Sequence, residues 1–313
     1  MIETQLMPPP RGFAHIEFEQ RTTKLQSLMQ TQNIDALFLT TEPEFRYFSG
    51  FKSQFWESPT RPWFLIIPVK GKPIAVVPEI GKAGFDETWI DDVRCWPSPR
   101  PEDDGISLLR DTLIEVSNTS FQIGAMLGPE THLRMPADNY QSLKRALNLS
   151  VGRHQIQDIS ALIRQVRSVK SPAEVAKTRF ACEVTAAGFD YLLENLKAGM
   201  TERQACKAMQ LEMLRLGADT CPYLISASGK DGYDNIIMGP TDRILTQGDV
   251  LIIDTGANFD GYFSDFDRNY AFGQVDKQTH YAYEAVYAST EAGLETASAG
   301  KTTGDVWQAM WNV

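Results

Sequence analysis

The sequence predicts an α/β N-terminal domain followed by a partial α+β domain, on three observations. Short apolar runs alternate with helical patterns as far as about residue 160. A capped helix start at Ser171-Pro172-Ala173-Glu174 then opens two long helices, followed by strands and a tight hairpin. The helix pair finally returns near the end of the chain as an internal repeat. The expected division is residues 1–162 and 163–313.

Residues 1–13 read as a flexible, proline-rich lead. Phe18 to Asn33 is a helix with Leu25, Leu28 and Met29 on one face. IDALFLT is a strand, and FRYFSG follows it. WFLIIPV and PIAVVPEI form a strand pair turning at Lys70-Gly71-Lys72. VRCWP is a further strand, SLLRDTLIEVS a helix, FQIGAML a strand and ADNYQSLKRAL a helix. Beyond Ser171 a helix runs to about Lys197. Gly199 stops it, and Thr201 with Gln204 caps the next helix, which ends at Gly217. Strands PYLISAS and VLIID follow.

Ala181–Met209 aligns without gaps on Ala282–Met310 at a constant offset of 101, and ten of the 29 positions are identical. The shared Ala-Gly-x-Thr junction ends one helix and caps the next in both copies. Only Trp311-Asn312-Val313 follows the second copy. A copy without its sheet leaves apolar surface uncovered, so the chain is expected to stop before its natural end and to lack activity by itself.

Composition narrows the partners. Of the 313 residues, 42% are hydrophobic and 22% charged, with a net charge of −10 and no Lys/Arg cluster. Nucleic acid is therefore not expected as a partner. No apolar run reaches the length of a membrane span, and MIETQLMPPPRGF lacks a signal-peptide core. Cys95, Cys182, Cys206 and Cys221 have no CxxC spacing, which points to free thiols and a cytoplasmic setting.

The stretch LIIDTGANFDGYFSDFDRNYAFG, residues 251–273, carries the chemistry. Asp260-Gly261 is a two-residue hairpin signal between apolar runs. Depending on where the turn centres, Asp254 faces either Asp265 or Asp267. Those two residues share a face of their own strand. Like charges in such proximity destabilise a sheet unless a cation or a retained proton relieves them. The flanking LII and aromatic runs imply burial on both faces and argue against a solvated surface hairpin. A divalent metal at Asp254 and Asp265 follows as the leading reading, with further ligands required from elsewhere.

Asp254-x-Gly256, with Gly261, Tyr262, Asp265 and Arg268, resembles the first half of the metal site of the creatinase/aminopeptidase P/methionine aminopeptidase superfamily, the "pita-bread" fold of peptidase family M24. Gly239–Asp254 resembles that family's lead-in to the hairpin. Ser168–Arg179 resembles the start of its catalytic domain, and the first 160 residues resemble a creatinase-type N-terminal domain. The resemblance implies two divalent metals (Mn, Co or Zn) held by Asp254 and Asp265 plus a His and two Glu, which would lie beyond residue 313. It also implies a homodimer, and a metal-activated water that attacks a C–N amide bond of a small-molecule or dipeptide-like substrate, as in Xaa-Pro aminopeptidases and dipeptidases.

Three further positions bear on that expectation. The family's peptidases place a substrate-facing His where this chain has Ile237, although Asp234 and Asn235 could supply polar contacts. Asp267 stands where they show Thr or Ser, and it reads as a further ligand, a base, or a salt-bridge partner of Arg268. Phe55, Trp56, Arg61 and Trp63 lie in one loop-to-strand segment. There the resemblance implies an Arg61 clamp on a substrate carboxylate, with aromatics such as Trp56 closing the pocket; the alternative is a hydrophobic strand entry with a solvated Arg. His15, His132, His154 and the linker residue His280 read as surface or structural residues. Other readings are a creatinase-like amidinohydrolase or a lyase acting on a small zwitterion, and a catalytically inactive binding module.

Overall fold

In a computed structural model, residues 6–117, 122–150, 155–229, 232–235 and 237–313 are described. The chain divides into two units, residues 10–173 and residues 174–313, the latter joined by residues 6–9.

The first unit is a three-layer α/β arrangement. Its strands are β1 (Ala36–Leu39), β2 (Phe64–Pro68), β3 (Ile74–Pro78), β4 (Asp92–Trp96), β5 (Gln122–Ala125) and β6 (Gln155–Asp158). They form a six-stranded mixed sheet in the order β4-β3-β2-β1-β5-β6. β1 to β3 are buried along their whole length, which is why they read as unbroken apolar runs. Helices α1 (His15–Thr31), α2 (Glu42–Ser49) and α5 (Ser160–Ser168) pack Phe18, Leu25, Met29, Phe45, Phe48, Ile163 and Val166 against one side. Helices α3 (Ile106–Val116) and α4 (Ala137–Leu149) pack Leu109, Leu113, Leu143 and Leu147 against the other.

The structure departs from several sequence expectations. The boundary falls after Ala173 rather than at 162/163, because Leu162, Ile163 and Val166 of α5 are buried in the first unit's core. The strand β6 had no place in the sequence reading. The lead is not free chain throughout: Phe13 packs edge-on against Phe18, and the Arg21 guanidinium lies 4.1 Å from the Phe13 ring centre.

The second unit is α+β. Helix α6 (Pro172–Asn195, its first two residues falling in the other unit) is followed by α7 (Glu202–Arg215), β7 (Leu224–Ser228), β8 (Val250–Thr255), β9 (Asn258–Phe259), β10 (Tyr262–Phe263) and β11 (Phe266–Ala271). The sheet β11-β8-β7 is three-stranded and antiparallel. Phe180, Val184, Phe189, Leu192, Cys206, Met209 and Met213 of α6 and α7 form one core with Leu251, Ile253, Phe259 and Tyr270 of the sheet. Helices α8 (Lys277–Thr296) and α9 (Thr303–Trp311) pack on each other, and Ser289 donates to the Met310 carbonyl at 3.0 Å. His280 lies inside α8 rather than in a linker, exposed and 3.2 Å from Glu284. Among the described residues no helix is long and apolar enough to cross a membrane, and none of the four cysteines is paired.

Candidate metal centre

The hairpin settles the register that the sequence left open. Asp260 and Gly261 both have positive φ, 51° and 85°, as a type I′ turn requires. Phe259 pairs with Tyr262, and the same register carries back to Asp254 opposite Asp267 and Thr255 opposite Phe266. Asp265 is therefore the diagonal neighbour of Asp254, two residues before its direct partner. All three carboxylates share one sheet face by the two-residue period. Gly256 is obligatory in this ribbon: a Cβ there would sit 1.8 Å from the Ser264 carbonyl oxygen.

That face is not buried as the sequence reading expected. Leu251, Ile253 and Thr255 are buried, whereas Ile252 and Asp254 are half-buried and Asp265 and Asp267 are exposed. Helices α6 and α7 cover one side of the sheet, and the alternation along β8 follows from that one-sided cover.

Tyr223, just before β7, is the side chain the sequence reading missed. Its hydroxyl donates to Asp265 Oδ1 and also reaches Asp254. Burial and these two carboxylates together raise the phenol well above its ordinary range, so it keeps its proton. Asp254 is raised by burial and by the Asp265 charge, against the Tyr223 hydrogen bond. Asp267 is raised by partial desolvation and the Asp254 charge, opposed by Arg268. Arg268 donates to the Asp267 backbone carbonyl at 2.7 Å, and its guanidinium lies 5.3 Å from the Phe266 ring centre. The only signal for Tyr223 in the sequence was its place one residue ahead of an apolar strand, which many tyrosines share.

The donor set suits a divalent cation in kind. Carboxylate oxygens that repel one another on an open face, with the pKa raised at Asp254 and Asp267, are the environment a hard cation relieves. In number they fall short. Among the described residues no group of three or more His, Cys, Asp or Glu side chains is gathered closely enough to enclose a metal. Asp254 and Asp265 would supply part of a ligand set.

The other candidates belong to separate surroundings. Trp56 is in the first unit's core, with ring centres 5.2 Å from Phe45 and 5.9 Å from Trp63, rather than lining an open pocket. Arg61 has φ 55° and donates from Nε to Ser98 Oγ at 3.0 Å. Their loop is held by Arg134, which donates to the backbone carbonyls of Phe55 (2.9 Å), Trp56 (2.8 Å), Ser58, Thr60 (3.1 Å) and Arg61 (3.4 Å). Ile237 is exposed. Asn235 ends a short 3-10 turn that begins at Tyr233, and its side chain, like His154, lies outside what is described.

Comparison with known proteins gives the class. Residues 21–169 match the creatinase/prolidase N-terminal domain and residues 176–313 match metallopeptidase family M24. The chain belongs to the M24 superfamily, with a creatinase-type N-terminal domain followed by a pita-bread domain. An uncharacterised peptidase of Staphylococcus saprophyticus is 25% identical over 298 residues, covering 95% of this chain and 78% of that protein. The prolidase of Thermococcus sibiricus has the same fold at a TM-score of 0.81 and 21% identity, over 94% of this chain and 76% of the other. An Xaa-Pro dipeptidase of Bacillus anthracis superposes at 0.78 with 19% identity, over 94% and 76%.

Proposed function

We propose that this protein is a divalent-metal-dependent hydrolase that cleaves a C–N amide bond in a small, dipeptide-like substrate, with Asp254 and Asp265 as two ligands of a two-metal site. The observation that carries this reading is the convergence of Asp254, Asp265 and Asp267 on one sheet face beside Tyr223. Divalent ions such as Mn²⁺, Co²⁺ or Zn²⁺ supply Lewis-acid polarisation and acidify water when bound. The chain's own residues do the rest. Asp254 and Asp265 offer carboxylate oxygens, and Tyr223 holds its proton at Oη toward Asp265. Asp267, opposite Asp254, keeps a carboxyl of raised pKa at the edge of the site.

Arg61 would clamp a substrate carboxylate: its Nε donates to Ser98, and its terminal nitrogens form a planar fork. Trp56 would act through packing of that loop. A homodimer in the cytoplasm completes the reading; the four unpaired cysteines fit a reducing compartment. Ile237 in place of the His that the family's peptidases show, together with Asp267, leaves room for a second reading, a family member that acts on a non-peptide zwitterion as an amidinohydrolase or lyase.

The test is metal binding by the purified full-length protein, followed by turnover of Xaa-Pro dipeptides against small zwitterionic amides. Asp254→Ala or Asp265→Ala is expected to abolish tight Mn²⁺, Co²⁺ or Zn²⁺ uptake. Undiminished metal stoichiometry in either variant overturns the assignment. Turnover of the zwitterion alone selects the second reading.

A further inference from the structure

Helix α6 grips the carboxylate hairpin at three places along one stripe. At the tip, Lys177 Nζ donates to Asp260 Oδ2 at 2.7 Å, and both side chains are only 1% exposed. One turn earlier on the helix, buried Glu174 accepts from the Tyr262 hydroxyl at 2.8 Å, on the returning strand. Two turns later, buried Thr185 meets Ser264 Oγ at 2.7 Å and accepts from the Ala257 amide at 3.1 Å. Residues 174, 177 and 185 project from the same side of a helix.

The tip contact has the strongest consequence. A strand slipped by one residue sends every side chain to the opposite face. In this ribbon a slip of β8 would carry Asp254, and a slip of β11 would carry Asp265 and Asp267, to the apolar side that holds Leu251 and Ile253, and either slip separates Asp254 from Asp265. A buried carboxylate at the turn is tolerated only where its cation waits, so Asp260 is admitted in the one register that brings it to Lys177. The αL backbone at Asp260, φ 51°, suits Asp or Asn. The Ser171–Lys177 segment, which first signalled the domain start, thus has a second task far along the chain.

We propose that Lys177 and Asp260, supported by Glu174 and Thr185, are positioning residues that set the register of the hairpin and so the convergence of Asp254 and Asp265 on a divalent cation. This rests on the metal-site reading above, and the experiment separates the two. Co²⁺ is titrated into the intact protein and followed by its visible absorption. Amide hydrogen exchange of residues 250–271 is measured without metal. The variants are Lys177→Met, Asp260→Asn and the double variant, with Asp254→Ala as the control for the site.

Lys177→Met is expected to weaken Co²⁺ binding at least tenfold and alter the Co²⁺ spectrum. It is also expected to speed exchange across residues 254–267, while amides of the first unit stay unchanged. The double variant removes both charges of this ion pair. Its thermal stability is expected to recover while Co²⁺ binding stays weak, which a purely structural ion pair would not produce. Wild-type Co²⁺ affinity and spectrum in Lys177→Met or in the double variant overturns the proposal. If the wild-type protein takes up no Co²⁺, the metal reading fails by itself and exchange decides. Faster exchange confined to the hairpin in Lys177→Met then upholds the register lock, and unchanged exchange overturns it.

Discussion

Helices α6 and α7 bury Phe180, Thr185, Cys206 and Met209 in the second unit, and 101 residues later the equivalent positions on α8 and α9 are Tyr281, Val286, Trp307 and Met310, all exposed. The local signals survive in both copies. Gly199 and Gly300 have φ of 94° and 90° and sit in the left-handed turn four residues past the helix ends at Asn195 and Thr296, rather than stopping the helices themselves. Thr201 with Gln204 and Thr302 with Asp305 each close a full capping box. What differs is what the helices lie on. The first pair covers β7, β8 and β11; the second pair's described contacts are mainly with itself, through Gly293 beneath Met310 and Val306. Capping boxes and left-handed turns are encoded within a few residues, whereas burial depends on a partner surface that can lie far away in sequence.

The comparison is most sharply tested by one substitution made in both copies. Met209→Ala removes a fully buried side chain from the core and is expected to cost about 2–5 kcal/mol. Met310→Ala, at a site 38% exposed, is expected to stay within about 0.5 kcal/mol. Denaturant unfolding of the two variants measures both, and equal losses would mean that α8 and α9 are as tightly packed as α6 and α7.

A smaller and more symmetric effect is expected at the caps. Thr201→Ala and Thr302→Ala each remove a hydroxyl that accepts an N3 amide at 3.1 Å, worth about 1 kcal/mol apiece. The first loss should register in the global unfolding free energy. The second should show instead as faster hydrogen exchange confined to α9, because a helix with little buried surface opens locally. A global loss of the same size from Thr302→Ala would erase the distinction.

The smallest effect is in acid. Asp249 is held below its ordinary range by its hydrogen bonds from Arg243, and Asp305 by the Thr302 amide. Both carboxyls are lowered on folding. Their stabilisation is thus present above the unfolded value of about 3.9 and is lost as pH falls through the lower folded values. Asp249 is largely buried in its ion pair and Asp305 lies open to water. Asp249→Asn is accordingly expected to flatten the acid limb of a stability-versus-pH curve measurably. Asp305→Asn should leave that limb almost unchanged. A steeper acid limb in Asp249→Asn would reverse the sign of this account.

Much of the candidate site was legible because its signals are local. Asp260-Gly261 announced the hairpin, and a two-residue period then placed Asp265 and Asp267 on a common face. Tyr223 was not legible, since its approach to Asp265 spans 42 residues and no spacing rule connects them. Trp56 read as a pocket aromatic because aromatic residues crowd its loop. Its burial depends on Phe45 and Trp63 and on a loop held by Arg134, which lies 73 to 79 residues away. The domain boundary was placed too early because the α5 pattern runs on toward Ser171, and only the core shows which unit receives Leu162, Ile163 and Val166.

The sequence by itself determined the alternating α/β order, the caps at Thr201 and Thr302, the hairpin and the presence of three clustered carboxylates. Each of these follows from backbone sterics or side-chain periodicity within about ten residues. Only the tertiary structure decided that Asp254 faces Asp267 with Asp265 on the diagonal, that one side of their sheet stays open, and that Lys177 meets Asp260 across 83 residues. Those outcomes depend on which surfaces exclude water together, and that is a property of packed elements that no single segment carries.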